Sequence, residues 1–230
     1  MNREMTNRIR FVIEDILPPV VRDSQIFRHA AKLAWGEHID HLARFRERAP
    51  FLTDEEYADL YRKHPRVHEG TDNSEACIKR IIESIEGDSV VDVGCGTGAV
   101  LSRIKASRSF ERLTGVDFVI DDASKLEGIG YVAAKVEELP FADGEFDTVI
   151  CTHVIEHVLE YHKAIAELRR VAKKRLIIVV PRERESRYAF NPHFNFFPYV
   201  HSFLRAMHPV PPVYACVDVG RDIFYSEDRA

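Results

Sequence analysis

The sequence predicts an α/β protein: a doubly wound, mostly parallel seven-stranded sheet that ends in an antiparallel C-terminal hairpin and is preceded by a helical N-terminal extension. Three observations predict it. From residue 74 onward, short apolar runs alternate with amphipathic helical segments, the rhythm of a parallel sheet covered on both faces by helices. A glycine cluster, Gly94, Gly96 and Gly98, follows one apolar run and opens a helix. Near the end, residues 213–219 and 223–225 read as strands around the turn Gly220-Arg221-Asp222, a connection short enough only for an antiparallel pair.

Residues 1–73 make up the extension. Residues 9–17 have helical periodicity, and Pro18-Pro19 stops it. Ser24 stands where a second helix through Trp35 needs its cap. Thr53-x-x-Glu56 is a capping box that opens a helix through Tyr61, and His64-Pro65 ends that helix. Tyr57, Tyr61, His64 and His68 are the residues of this extension expected to face a site, with the extension as a lid. Residues 74–230 form the main domain. Its predicted helices are 75–85, 98–105 and 161–172, and its strands before the hairpin are 89–93, 113–116, 131–134, 146–151 and the fully apolar 176–180. The cations Lys173, Lys174 and Arg175 are expected to complement a helix C-terminus.

Composition narrows the functional classes. A length of 230 residues suits one α/β domain with an appendage. The net charge of −5 lacks the basic excess of a duplex-binding protein, so no nucleic-acid partner is expected. The 4 cysteines include no C-x-x-C pair, which argues against zinc or dithiol chemistry and for a reducing compartment. Residues 1–10 are polar and charged, and no run approaches the roughly 18 apolar residues of a membrane span. The expectation is a cytoplasmic protein without stable membrane insertion. Nothing in the composition points to an oligomeric state.

The glycine loop carries the chemistry. Glycine permits a tight turn and a close approach of ligand to backbone, and the helix behind it offers unpaired N–H groups. Asp117 closes the next strand, where a carboxylate can accept both hydroxyls of a ribose. A nucleoside-containing ligand follows. Gly94-x-Gly96-x-x-Ala99 fits the dinucleotide fingerprint, so an NAD-dependent oxidoreductase is one reading. Asp92 favours the other, because a carboxylate two residues before the loop repels a pyrophosphate and attracts a ligand's ammonium and sulfonium.

Val90-Val91-Asp92-Val93-Gly94-Cys95-Gly96-Thr97-Gly98 resembles the first motif of class I S-adenosylmethionine-dependent methyltransferases, of the small-molecule, type 11-like kind. Gly115-Val116-Asp117-Phe118 resembles their second motif. Glu137-Glu138-Leu139-Pro140-Phe141, Val154-Ile155-Glu156-His157-Val158 and Glu167-Leu168-Arg169-Arg170-Val171 are similar to later segments. The resemblance covers about residues 74–181. It implies S-adenosyl-L-methionine as cofactor, with Asp92, Gly94, Cys95 and Gly96 around the methionine part. It places Asp117 on the ribose, Phe118 against the adenine, Val136 giving a backbone N–H to the adenine ring, and Thr152 and His153 beside the methionine moiety. Lys135 departs from the family pattern, which often has an acceptor carboxylate there; lysine cannot accept a hydrogen bond.

The implied reaction is methyl transfer to an oxygen or nitrogen of a small molecule, with a sugar or glycan precursor the favoured class. Such an acceptor must lose a proton, and imidazole titrates near neutrality. His157 and His153 are therefore the catalytic candidates, His157 as base. His153-x-x-Glu156-His157 also matches an inverted zinc-protease motif, but it follows a buried strand at a ligand-binding edge, and no metal is expected. The acceptor side is assigned to the stretch after Pro181. Arg182 and Arg187 suit a phosphate, Tyr188 and its aromatic neighbours suit a ring, and Asn191, His193 and Asn195 suit hydroxyls. A phosphorylated or nucleotide-linked sugar fits that set.

Overall fold

Alternation of side chains along each strand divides the apolar residues between two cores, one on each face of a single sheet. The computed structural model describes residues 8–9, 11–36, 46–53, 55–57, 59, 70–120, 125–188 and 191–229. The strands are β1 (Ser89–Val93), β2 (Arg112–Asp117), β3 (Gly130–Ala133), β4 (Phe146–Thr152), β5 (Ala172–Pro181), β6 (Tyr214–Val219) and β7 (Asp222–Asp228). Their order across the sheet is β3-β2-β1-β4-β5-β7-β6. The first five are parallel, and β7 pairs antiparallel with both β5 and β6. This is the predicted architecture, closing hairpin included.

Successive residues of one strand enter opposite cores. Val91 and Val93, Val149 and Cys151, Leu176, Ile178 and Val180, and Ile223 and Tyr225 face one cluster with Leu168 and Phe203. Val90, Ile150, Ile177, Val179 and Phe224 face the other, with Cys77, Ile81 and Ile104. Each fully buried aliphatic chain contributes about 1.5–3 kcal/mol, so the central strands hold most of the apolar stabilisation. Cys77, Cys95 and Cys151 are buried and outside any disulfide.

The helices are α1 (Pro19–Arg22), α2 (Gln25–Trp35), α3 (Glu75–Glu83), α4 (Ala99–Ser107), α5 (Tyr161–Val171) and α6 (Val200–Ala206). Ser24 caps α2 by accepting from the Phe27 N–H at 3.1 Å. The Thr53–Glu56 capping box forms in both directions, at 2.9 and 3.3 Å. Phe11–Ile16 winds as a π-helix, and α6 lies at residues 200–206, where the sequence predicts no element. Lys173, Lys174 and Arg175 differ from expectation: β5 begins at Ala172, directly after α5, so these cations stand in the strand. There Lys174 pairs with Asp147 and Arg175 with Asp228, both at 2.9 Å.

Ion pairs and backbone bonds tie the extension to the C-terminal half. Arg221, in the β6–β7 turn, pairs with Asp15 at 2.9 Å and Glu14 at 3.3 Å. Arg22 donates to the Glu185 carbonyl at 3.1 Å, and Arg46 to that of Ser186 at 2.7 Å.

The last strand is locked to α5 by a buried charge pair. Glu227 is fully buried and accepts from Arg169 Nε at 2.9 Å and Nη2 at 2.7 Å. The Tyr225 hydroxyl donates to the same carboxylate at 2.6 Å. Removing Arg169 leaves the buried Glu227 with Arg229 at 3.3 Å in place of a bidentate partner, and breaking a buried pair costs about 3–5 kcal/mol. Arg169→Ala is therefore expected to destabilise the fold by about 3 kcal/mol in chemical denaturation, while Glu75→Ala, which removes the exposed Arg103 pair, is expected to change it by less than about 1 kcal/mol.

Candidate active site

In an open parallel sheet, ligands sit beyond the carboxyl ends of strands where the strand order reverses. Here that point lies between β1 and β4, and the loops after β1, β2, β4 and β5 converge on it. The glycine loop turns with φ of 80° at Gly94, 53° at Gly96 and 74° at Gly98. A side chain at Gly94 would also collide with Val154. The loop is pinned to β2, because the Gly94 and Cys95 N–H groups donate to the Val116 carbonyl at 2.7 and 2.9 Å.

Asp92 ends up buried, with 1% of its surface exposed, and its Oδ1 has no hydrogen-bond partner among the described residues. Burial, and secondarily the Asp117 charge, push its carboxyl up to about 7. Asp117 receives the Gly96 N–H on Oδ2 at 2.7 Å and the Val119 N–H on Oδ1 at 3.2 Å. Phe118 follows it, with Lys135 Nζ 5.8 Å from its ring centre and Val136 buried nearby in the chain. Two carboxylates at this end oppose a dinucleotide's pyrophosphate and suit a cation. The orphaned Asp92 oxygen thus fits the ammonium and sulfonium of S-adenosylmethionine, and Asp117 fits its ribose.

After β4 the chain turns sharply. His153 adopts φ 55°, a left-handed conformation costing about 1–2 kcal/mol in an L-residue, held by its N–H donating to Val179 at 2.9 Å. Ile155–His157 form one 3-10 turn rather than an α-helix, so His153 and His157 do not share a helical face. His153 Nδ1 lies 3.4 Å from Glu156 Oε1 and Nε2 lies 3.8 Å from Asp222 Oδ1. Burial lowers the basicity of His153, but Glu156, Asp222 and Asp72 outweigh it and raise the pKa. His157 is different. Burial, then the neighbouring His193, push it down to about 4. Its Nδ1 lies 3.1 Å from the Pro192 carbonyl; a carbonyl only accepts, so Nδ1 carries the proton and Nε2 the lone pair.

The predicted acceptor residues separate into two groups. His193 is brought to the site, its ring 4.6 Å from that of His157, with Nδ1 donating to Glu183 at 2.6 Å. Asn191 donates to the same carboxylate at 2.8 Å, and Tyr188 is buried. Asn195 instead braces the loop, donating to the Ile155 and Val158 carbonyls. Arg182 pairs with Asp218 at 2.9 Å, and Arg187 is exposed beside the Tyr188 ring.

Tyr57 reaches the site from the extension. Its hydroxyl donates to the His157 carbonyl at 2.5 Å, and its ring stands 6.3 Å from Phe118 and 6.4 Å from Phe194. Tyr61, His64 and His68 lie outside the described residues. Asn73 was not singled out by sequence. It is buried and donates to Thr152 Oγ1 at 3.0 Å, while its own Oδ1 has no hydrogen-bond partner among the described residues.

A buried acid whose pKa rises on folding binds more protons folded than unfolded, so Asp92 costs stability as pH climbs from about 4 to about 7. Asp92→Asn is expected to make the ligand-free protein more stable than wild type at pH 8, by about 2 kcal/mol or more, with the gap closing by pH 4; denaturant titration at both pH values checks it.

Comparison with known proteins agrees with this geometry. Residues 91–180 match the family described as a methyltransferase domain. The chain is 37% identical over 93 residues to an uncharacterized protein of Methanocaldococcus jannaschii, covering 40% of each. It is 31% identical over 106 residues to a demethylmenaquinone methyltransferase of Staphylococcus aureus, covering 41% of this chain and 44% of that one. The chain thus spans less than half the length of these curated relatives. Among solved structures, a Thermotoga maritima S-adenosylmethionine-dependent methyltransferase superposes with TM-score 0.54 at 18% identity, covering 83% of this chain and 99% of that one. At that identity the likeness speaks for the fold. Loop, sheet order and matched domain agree: residues 91–180 are similar to a methyltransferase domain, carried on the sheet described above.

Proposed function

We propose that this protein transfers the methyl group of S-adenosylmethionine to an oxygen or nitrogen of a small, hydroxyl-bearing acceptor. The observation that carries the cofactor half is Asp92: a buried carboxylate, unpaired on one oxygen, at the mouth of the glycine loop. When bound, the cofactor supplies a methyl carbon activated by its sulfonium, and in-line attack leaves the C–S electron pair on sulfur as a thioether. The chain's own residues supply alignment, worth roughly 7–11 kcal/mol at best. Asp92 holds positive charge at the methionine end, with Thr152 and His153 beside it. Asp117 accepts from the ribose hydroxyls.

The acceptor's proton leaves towards His157. Pro192 fixes the tautomer, and a pKa near 4 keeps the ring neutral at pH 7, so Nε2 has its lone pair. The buried Tyr188 hydroxyl and Asn191 Oδ1 have no hydrogen-bond partner among the described residues. Buried polar atoms of that kind want partners, and a sugar or glycan precursor offers hydroxyls for them. Arg182 is already paired with Asp218, which leaves hydroxyls rather than a phosphate as the stronger recognition element in this reading. Tyr57 makes the extension a wall shared by the adenine and acceptor sides.

Isothermal titration is expected to show binding of S-adenosylhomocysteine and none of NADH. Asp92→Asn is expected to weaken that binding by about 10–100-fold, the loss of one charge-assisted hydrogen bond of about 1.5–3 kcal/mol; unchanged affinity sinks the role of Asp92. Methyl-labelled S-adenosylmethionine incubated with a metabolite extract is expected to label a low-molecular-mass, hydroxyl-rich product. Label found only in protein or RNA refutes the acceptor class.

A further inference from the structure

We propose that Glu156, His157 and His193 form a binding site for a divalent transition-metal ion of the zinc class. The three residues each place one donor atom within 4.8 Å of the others. Two imidazoles and one carboxylate are the protein ligands of catalytic zinc sites and of open non-haem iron sites. A tetrahedral zinc ion sets its ligands about 3.3 Å apart, so an ion would draw these donors together by at most about 1.5 Å.

Independent features point the same way. Glu156 is fully buried, and neither carboxylate oxygen has a hydrogen-bond partner among the described residues. Its contact with His153 is an ion-pair distance, 3.4 Å, rather than an aligned hydrogen bond. A buried carboxylate is costly unless cations meet it, and His153 stands beside only one of the two oxygens, Oε1. Both histidines are also oriented as metal ligands are. Metal-bound imidazole usually donates its second N–H to a carbonyl or carboxylate, which fixes the tautomer and ring orientation. His157 donates from Nδ1 to the Pro192 carbonyl at 3.1 Å, and His193 donates from Nδ1 to Glu183 at 2.6 Å. Nε2 is thus the metal-binding atom on each ring. Asn191 steadies the Glu183 carboxylate in turn at 2.8 Å. The histidines are only partly buried, which leaves an approach for a fourth ligand. His153, despite the H-x-x-E-H spacing, is not in the set, because the 3-10 turn directs it towards Asp222.

The consequence, though not the site, rests on the methyl-transfer reading. An acceptor hydroxyl bound to the ion would have its pKa lowered, and the ion would then drive the proton loss that His157 serves in the metal-free protein.

The test uses the full chain stripped with a chelator and titrated with Co²⁺, read by visible d–d absorption. The expected result is a band saturating at one ion per chain and displaced by Zn²⁺. Glu156→Gln and His193→Gln are expected to abolish it. Glu183→Gln keeps every ligand and is expected to weaken Co²⁺ binding by about 10–100-fold, so it decides the matter if the ligand variants fail to fold. No band in wild type, a band that survives Glu156→Gln, or thiolate charge-transfer absorption from the cysteines would overturn the proposal. S-adenosylhomocysteine titration of the same preparations separates the two readings: cobalt bound without it leaves the metal site standing and removes the cofactor assignment, and the reverse removes only the metal.

Discussion

Charge placed at the carboxyl edge of a sheet that is dry on both faces is the constraint on which the site depends. β1 and β4 lie side by side with apolar side chains packed above and below them. Polar groups at their ends can meet only the loops, one another or a ligand. Asp92 sits one residue inside that edge and is buried with it. The glycine loop, pinned to β2 through Val116, cannot swing its N–H groups round to satisfy it. A gap is thereby left in the hydrogen-bonding pattern at Asp92 Oδ1, of the sign that a cation would fill.

The same edge explains the histidines. His153 and His157 are separated by one tight turn, yet they titrate in opposite directions. His153 stands between two carboxylates, whereas His157 stands against another imidazole. Burial lowers both rings; the carboxylates outweigh it at His153, whereas at His157 the second imidazole adds to it, which splits two chemically identical groups into one that favours its proton and one that sheds it. Such divergence within a cleft is characteristic of sites that handle protons or cations.

Features set by local spacing were legible in the sequence. The strand, glycine turn and helix from Ser89 to Ser107, the carboxylate of Asp117 at the end of β2 and the closing hairpin need only neighbouring residues to be recognised. What escaped depends on distant partners. Asn73 against Thr152 and Glu183 under His193 are joined by the path of the chain, and nothing in the residues beside them marks it. Asp222 looked like the third residue of a turn; its register opposite Pro181 carries it to the edge of β5 and into the site. The pattern His153-x-x-Glu156-His157, set aside in the sequence as a zinc-protease motif, forms no α-helix: His153 has a positive φ and Ile155–His157 make a 3-10 turn.

The position of β7 in the sheet has a consequence for biosynthesis. It follows every other strand in the chain, yet it lies inside the sheet, between β5 and β6. It carries both Asp222, which reaches His153, and Glu227, which Arg169 requires. On the ribosome the parallel half can gather as it emerges. Until β7 is released, however, β5 keeps an open edge, Arg169 lacks its carboxylate and His153 lacks one of its two. Arrival of β7, closure of the sheet and maturation of the site are therefore a single event, and a chain interrupted before residue 222 has the glycine loop without the two carboxylates that β7 brings.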